Sequence, residues 1–136
     1  MKNKCINEIL EMISWDNSED VQRCGIERAK NLNDISDFIQ PITPQYHKNV
    51  WGNCAIIVSA SDNKTIEPFL FELLEWVQDT NWPGAMTIYN RLLSVPREML
   101  MIPYNKALQE SRNTHDQLWE EILIDFMKDY ENKHKI

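Results

Sequence analysis

The residues whose types and spacing could do chemistry in this chain are its carboxylates. Glu72, Glu75 and Asp79 stand at i, i+3 and i+7, and Glu121, Asp125 and Asp129 at i, i+4 and i+8. On a helix either spacing lines three acids along one side. Such a row could move protons if one acid were buried with a shifted pKa, or hold a divalent cation if several converged on one point. Otherwise it is the solvated face of an amphipathic helix, or a recognition surface for a basic partner. An enzyme using Glu72, Glu75 and Asp79 with His115 therefore requires that these groups converge in a cleft and that one of them titrate abnormally.

The remaining chemistry is sparse. His47, His115 and His134 never fall four residues from another His or Cys, the spacing that brings two zinc ligands onto one helix face. Cys24 and Cys54 occupy apolar helix positions, where a thiol behaves as a small hydrophobe of low reactivity, and Cys5 is expected nearer the surface. There is no Gly-rich phosphate loop and no Gly-x-Ser-x-Gly elbow. The sequence thus assigns no catalytic residue, no cofactor and no metal.

The 136 residues are a single-domain length with a net charge of −7. That balance argues against a general nucleic-acid binder, which needs a basic surface to neutralise phosphates. It suits a basic partner, or serves solubility alone. Three cysteines without a pairing motif fit a reducing cytoplasm. The amino-terminal residues alternate charged and apolar types instead of forming a signal-like block, so neither secretion by that route nor membrane insertion is expected.

The elements that must position these groups read as helices. Only three glycines occur and no Asn-Gly or Asp-Gly turn, which disfavours hairpins. Ile6, Ile9, Leu10 and Ile13 form one helical stripe, and Trp119, Ile122, Leu123, Phe126 and Tyr130 another. Between them the sequence predicts helices over about 19–31, opened by Asn17 or Ser18, over 46–60 and over 64–78, with a short helix or turn at 33–41 stopped by Pro41. A further helix begins after Asn81-Trp82-Pro83-Gly84, with Asn81 able to cap it. Pro96 opens a segment that Pro103 should kink or split, and Thr114 with Gln117 predicts a capping box for the last helix. Only Cys54-Ala55-Ile56-Ile57-Val58, with its β-branched run, also admits a buried strand.

The chain also repeats itself at a period of about sixty residues: Trp15 recurs as Trp76, Gly25-Ile26 as Gly84-Ala85, Pro41 as Pro103 and Trp51 as Trp119. This pattern predicts an all-α HEAT- or armadillo-like solenoid of about six helices, built from two duplicated three-helix units over about 4–60 and 64–131, with a closed helical bundle as the alternative. The recurring tryptophans are expected in the core. The run Leu73-Leu74-Glu75-Trp76-Val77-Gln78-Asp79-Thr80-Asn81-Trp82-Pro83-Gly84-Ala85 resembles the signature of a bacterial family of unknown function, small HEAT-like helical proteins marked by LLEWLQD-x-NWP. That resemblance covers roughly residues 64–130 and implies an all-helical fold with no activity attached. The first unit, with Asp16-Asn17-Ser18-Glu19 in the matching turn, departs from it.

Function is then expected to be non-enzymatic protein binding, with neutralisation of a basic partner, as by an immunity protein, as its sharper form. A homo-oligomeric scaffold is a further possibility. The candidate partner-binding residues are Glu72, Glu75, Asp79, Asn81, Trp82, Asn90 and Arg91. Trp82 stands outside the repeated framework, and either staples its turn onto the neighbouring unit or serves as an exposed aromatic anchor. The second helix of each unit would line the concave face, offering Gln22, Arg23, Glu27 and Lys30 in one and Thr87, Asn90 and Arg91 in the other.

Overall fold

The computed structural model describes residues 4–40 and 48–135, which are helical without a strand among them. Pro41 and His47 lie outside the described residues. The chain starts with α1 (Lys4–Met12) and α2 (Glu19–Ala29), an antiparallel pair in which Arg28 near the end of α2 reaches Cys5 and Glu8 at the start of α1. Ser18 caps α2 by accepting the Val21 amide, and the Asn17 side chain donates to the Glu11 and Met12 carbonyls that α1 leaves open. Gly25 lets the two helices touch, because a Cβ there would stand 2.8 Å from Ile13 Cγ2.

The ambiguous run 54–58 is helical and belongs to α3 (Trp51–Ser59). Its Trp51, Cys54, Ala55, Ile57 and Val58 are buried on several sides at once, which explains the β-branched content. α3 packs on α2, on a short 3-10 turn at Ser36–Phe38, and on the later α6. Asn53 fixes its approach to the first pair, donating 2.8 Å bonds to the Ile13 carbonyl and to Gln22 Oε1.

The helix expected over 64–78 forms in pieces: α4 (Asn63–Ile66), a 3-10 turn at Glu67–Phe69, and α5 (Leu70–Trp76). Pro68 explains the interruption, since it has no amide to donate. α6 spans Ala85–Leu92, α7 Arg97–Asn113 and α8 Gln117–Lys133. Pro103 does not split α7; the buried stripe of Leu100, Tyr104, Ala107 and Ser111 carries the helix through it. Packing follows chain order at the two ends, α1 on α2, α2 on α3 and α7 on α8; in between, α3 packs on α6, α6 on α5 and α5 on α7. α8 is pinned from several sides: Tyr89 of α6 meets Phe126 edge to face at 5.1 Å, Trp119 Nε1 donates to the Leu74 carbonyl, Tyr104 donates to the Leu123 carbonyl, and Tyr130 donates to the Val95 carbonyl.

Several sequence expectations need correction. Trp15 is not core: it is 54% exposed, with its ring laid across Gly52 of α3, whereas Trp76 is wholly buried. Gly25 sits inside a helix, while Gly84 precedes α6 with a φ of 81°. Trp51 and Trp119 do match, both being buried in the first turn of their helices. Cys24 is exposed, because the buried side of α2 is set by Gly25 and Ala29. The expected Thr114-Gln117 box does not form. Asp116 caps α8 instead, accepting the Trp119 amide, and Thr114 closes α7 by donating to the Glu110 carbonyl. His115 takes the left-handed link between them at φ 57°, with the His115 and Asp116 amides returning to the Arg112 and Ser111 carbonyls.

Candidate partner-binding clefts around the last helix

The turn after Trp76 is built as a structural joint. Asp79 accepts the Asn81 amide at 2.8 Å through its carboxylate, and its carbonyl accepts the Trp82 amide. Trp76 Nε1 donates to the Pro83 carbonyl at 3.1 Å. Gly84, not Asn81, stands at the start of α6, and a Cβ on it would lie 2.6 Å from Ala55 Cβ and 2.9 Å from the Trp51 carbonyl. Positive φ and lack of space both demand glycine there. Trp82 is half-buried and packs edge to face on Trp51 of α3 at 5.7 Å, with the Lys48 ammonium over both rings. Its ring therefore staples the turn onto the first half of the chain, while Asn81 is exposed.

Arg91 is another joint. Its guanidinium donates to the Ser59 and Ser61 carbonyls, to Asn63 Oδ1 and to Ser94 Oγ, tying α6 to the link between α3 and α4. Burial pushes its pKa down, opposed by the charge of Asp62. Asn90 beside it is exposed. In α2, Gln22 is engaged by Asn53, while Arg23 with Asp20 and Lys30 with Glu27 form exposed ion pairs along the helix.

Of the first acidic row, Glu75 enters a cleft. This cleft, of about 560 Å³, opens where the end of α5, the end of α7 and the start of α8 meet, and Glu75, Gln78, Glu110, His115, Asp116 and Trp119 line it. Glu72 and Asp79 do not line it. Burial raises the Glu75 pKa, the charges of Glu72 and Glu110 raise it further, and Lys106 opposes them. Glu110 and Asp116, which sequence periodicity did not single out, are brought there by the α7–α8 corner. His115 reaches the same cleft through its left-handed backbone. Among the described residues no group of three or more His, Cys, Asp or Glu side chains is placed to hold a metal ion.

A second groove, of about 450 Å³, runs between α6 and α8. Here Tyr89 of α6 donates a short hydrogen bond to Asp129, with Asp125 one turn earlier on α8. Burial first, then that bond, then the charges of Asp129 and Asp125 push the Tyr89 pKa far up, so its hydroxyl stays a donor. Met86 and Ile122 supply apolar walls, and Thr80 and Lys128 complete the rim. The second acidic row contributes Asp125 and Asp129 to this groove, but Tyr89 is forty positions away from Asp129 and no local pattern announces the pairing.

Cys54 is buried, and burial pushes its thiol up to about 12, with the neighbouring Gln40 amide pulling the other way. Among the described residues no helix is long and apolar enough to cross a membrane. No curated protein and no solved structure is significantly similar to the chain. The domain of unknown function DUF5071 matches residues 52–135, more than half of the sequence and all of the elements that build both clefts, and the chain belongs to that family.

Proposed function

We propose that this protein is a non-enzymatic, helical-repeat binding module for a basic protein partner. The observation that carries the reading is the cleft at the α5, α7 and α8 corner: Glu75, Glu110 and Asp116 line it with no lysine or arginine among its lining residues. A cationic side chain entering there would return Glu75 to its ordinary ionisation and offset the mutual repulsion of the acids. The net charge of −7 adds long-range attraction for the same class of partner. The stacking of α1 on α2 and of α2 on α3 is what supports the solenoid form of the scaffold. In its sharper form the module neutralises a basic toxin as an immunity protein, in a reducing cytoplasm that suits three cysteines without a pairing motif.

Titration of the protein with a fluorescent arginine-serine peptide tests the reading. Binding that weakens steeply with salt, and drops about tenfold or more in Glu75→Gln/Glu110→Gln, is the expected result. Salt-insensitive binding, or none, would sink it. Catalysis by Glu75 with His115 has one observation in its favour, their shared cleft with a raised carboxyl pKa. Against it, Glu110, His115 and Gln117 are exposed and the cleft is open, so water is not excluded from the acids.

A further inference from the structure

Resting on the basic-partner reading, we propose that the groove between α6 and α8 is the seat of one arginine side chain of that partner. Its chemistry matches the two parts of arginine separately. Met86, 46% exposed, and Ile122 form apolar walls against which a three-carbon stem buries surface while its head stays polar. Asp125 and Asp129, both exposed and one helical turn apart on α8, line the same groove and offer it two carboxylates, the acceptors that a planar guanidinium needs. Tyr89 fixes the geometry of one of them. Its hydroxyl donates to Asp129 and so orients the carboxylate before any partner arrives, leaving the remaining lone pairs of that carboxylate for an incoming cation.

Charge selects the occupant. The groove carries two carboxylates against one lysine, Lys128, and the charges of both aspartates act on the Tyr89 hydroxyl at its inner wall. An anionic or purely apolar occupant would leave these acids uncompensated. A lysine would satisfy the charge but only as a point donor, whereas the forked guanidinium can engage both carboxylates at once.

The test uses the full chain labelled at methionine methyl groups and observed by NMR during titration with an arginine-serine peptide, its citrulline counterpart and its lysine counterpart. The Met86 methyl signal should shift with the arginine peptide, shift less with lysine, and remain in place with citrulline, which has the same shape without the charge. Asp125→Asn, at an exposed position, should weaken arginine-peptide binding about tenfold. Tyr89→Phe, which keeps the ring and frees Asp129, should weaken it less. Glu75→Gln/Glu110→Gln should leave the Met86 shift intact at saturating peptide. Peptide binding with Met86 unmoved, or an equal shift with citrulline, overturns the groove while the basic-partner reading stands; no binding of any cationic peptide overturns both.

Discussion

The turn after Trp15 and the turn after Trp76 carry the same aromatic residue about sixty positions apart, and they end in opposite environments. Trp15 lies on the surface over Gly52, and its turn is held by polar groups: Asn17 to the end of α1, Ser18 to the start of α2, Asn49 to Ser14 and Asp16. Trp76 is wedged among α3, α5 and α6, and its turn is held by the Trp51 and Trp82 rings and by a glycine pressed on Ala55. A repeated residue type thus marks a repeated spacing, not a repeated environment. What differs is whether another helix arrives to cover the ring. α6 and the first half of the chain cover Trp76, whereas nothing among the described residues packs over the outer side of Trp15.

The contrast can be broken by truncating both rings. Trp76→Ala should cost about 4 kcal/mol in urea unfolding, since a large buried ring leaves a cavity and strands the Pro83 carbonyl, whereas Trp15→Ala should cost under about 1 kcal/mol. Equal losses would mean that the two turns are energetically equivalent despite their burial. The paired glycines sharpen the point at a smaller scale. Gly84→Ala should destabilise by about 3 kcal/mol, because the left-handed backbone and the contacts with Ala55 and Trp51 penalise a side chain together. Gly25→Ala should lose about 1 kcal/mol by the same assay, since the clash with Ile13 and Met12 is partly offset by the better helix propensity of alanine.

The smallest expected effect concerns Glu75. Its folded pKa is raised, so its contribution is most favourable below the ordinary glutamate pKa and is lost as pH rises through the folded value. Glu75→Gln should therefore raise stability at neutral pH by on the order of 0.5 kcal/mol after solvent screening, with the gain vanishing below about pH 4. A thermal melt series across that range measures it, and a gain that persists in acid would place the cause in packing instead of charge.

Much of the helical layout was legible because its signals are local. Apolar stripes at helical spacing gave α1 and α8, and of the two caps offered for α2, Asn17 or Ser18, Ser18 is the one that forms. Boundaries failed where two local rules competed. At the α7–α8 corner, Asp116 is the better-placed cap, and His115 absorbs the left-handed turn usually given to glycine. Of the candidate site residues, Glu75 enters a cleft, Trp82 and Arg91 are taken up by joints between helices, and Asp79 holds its own turn. The lining residues Glu110, Asp116 and Tyr89, none of them a candidate site residue from the sequence, reach their clefts through contacts between separate helices.

By itself, then, the sequence determined the all-helical character, the acidic net charge and the break between helices at Trp76 to Gly84, because helix propensity, charge count and the conformational demands of proline and glycine need no distant contact. Only the tertiary structure decided which tryptophan is covered, which acid is desolvated and which carboxylate meets Tyr89. Burial and electrostatic coupling depend on what arrives from elsewhere in the chain. The two clefts beside α8 exist for that reason, and a partner would read them as surfaces assembled from α5, α6, α7 and α8 together.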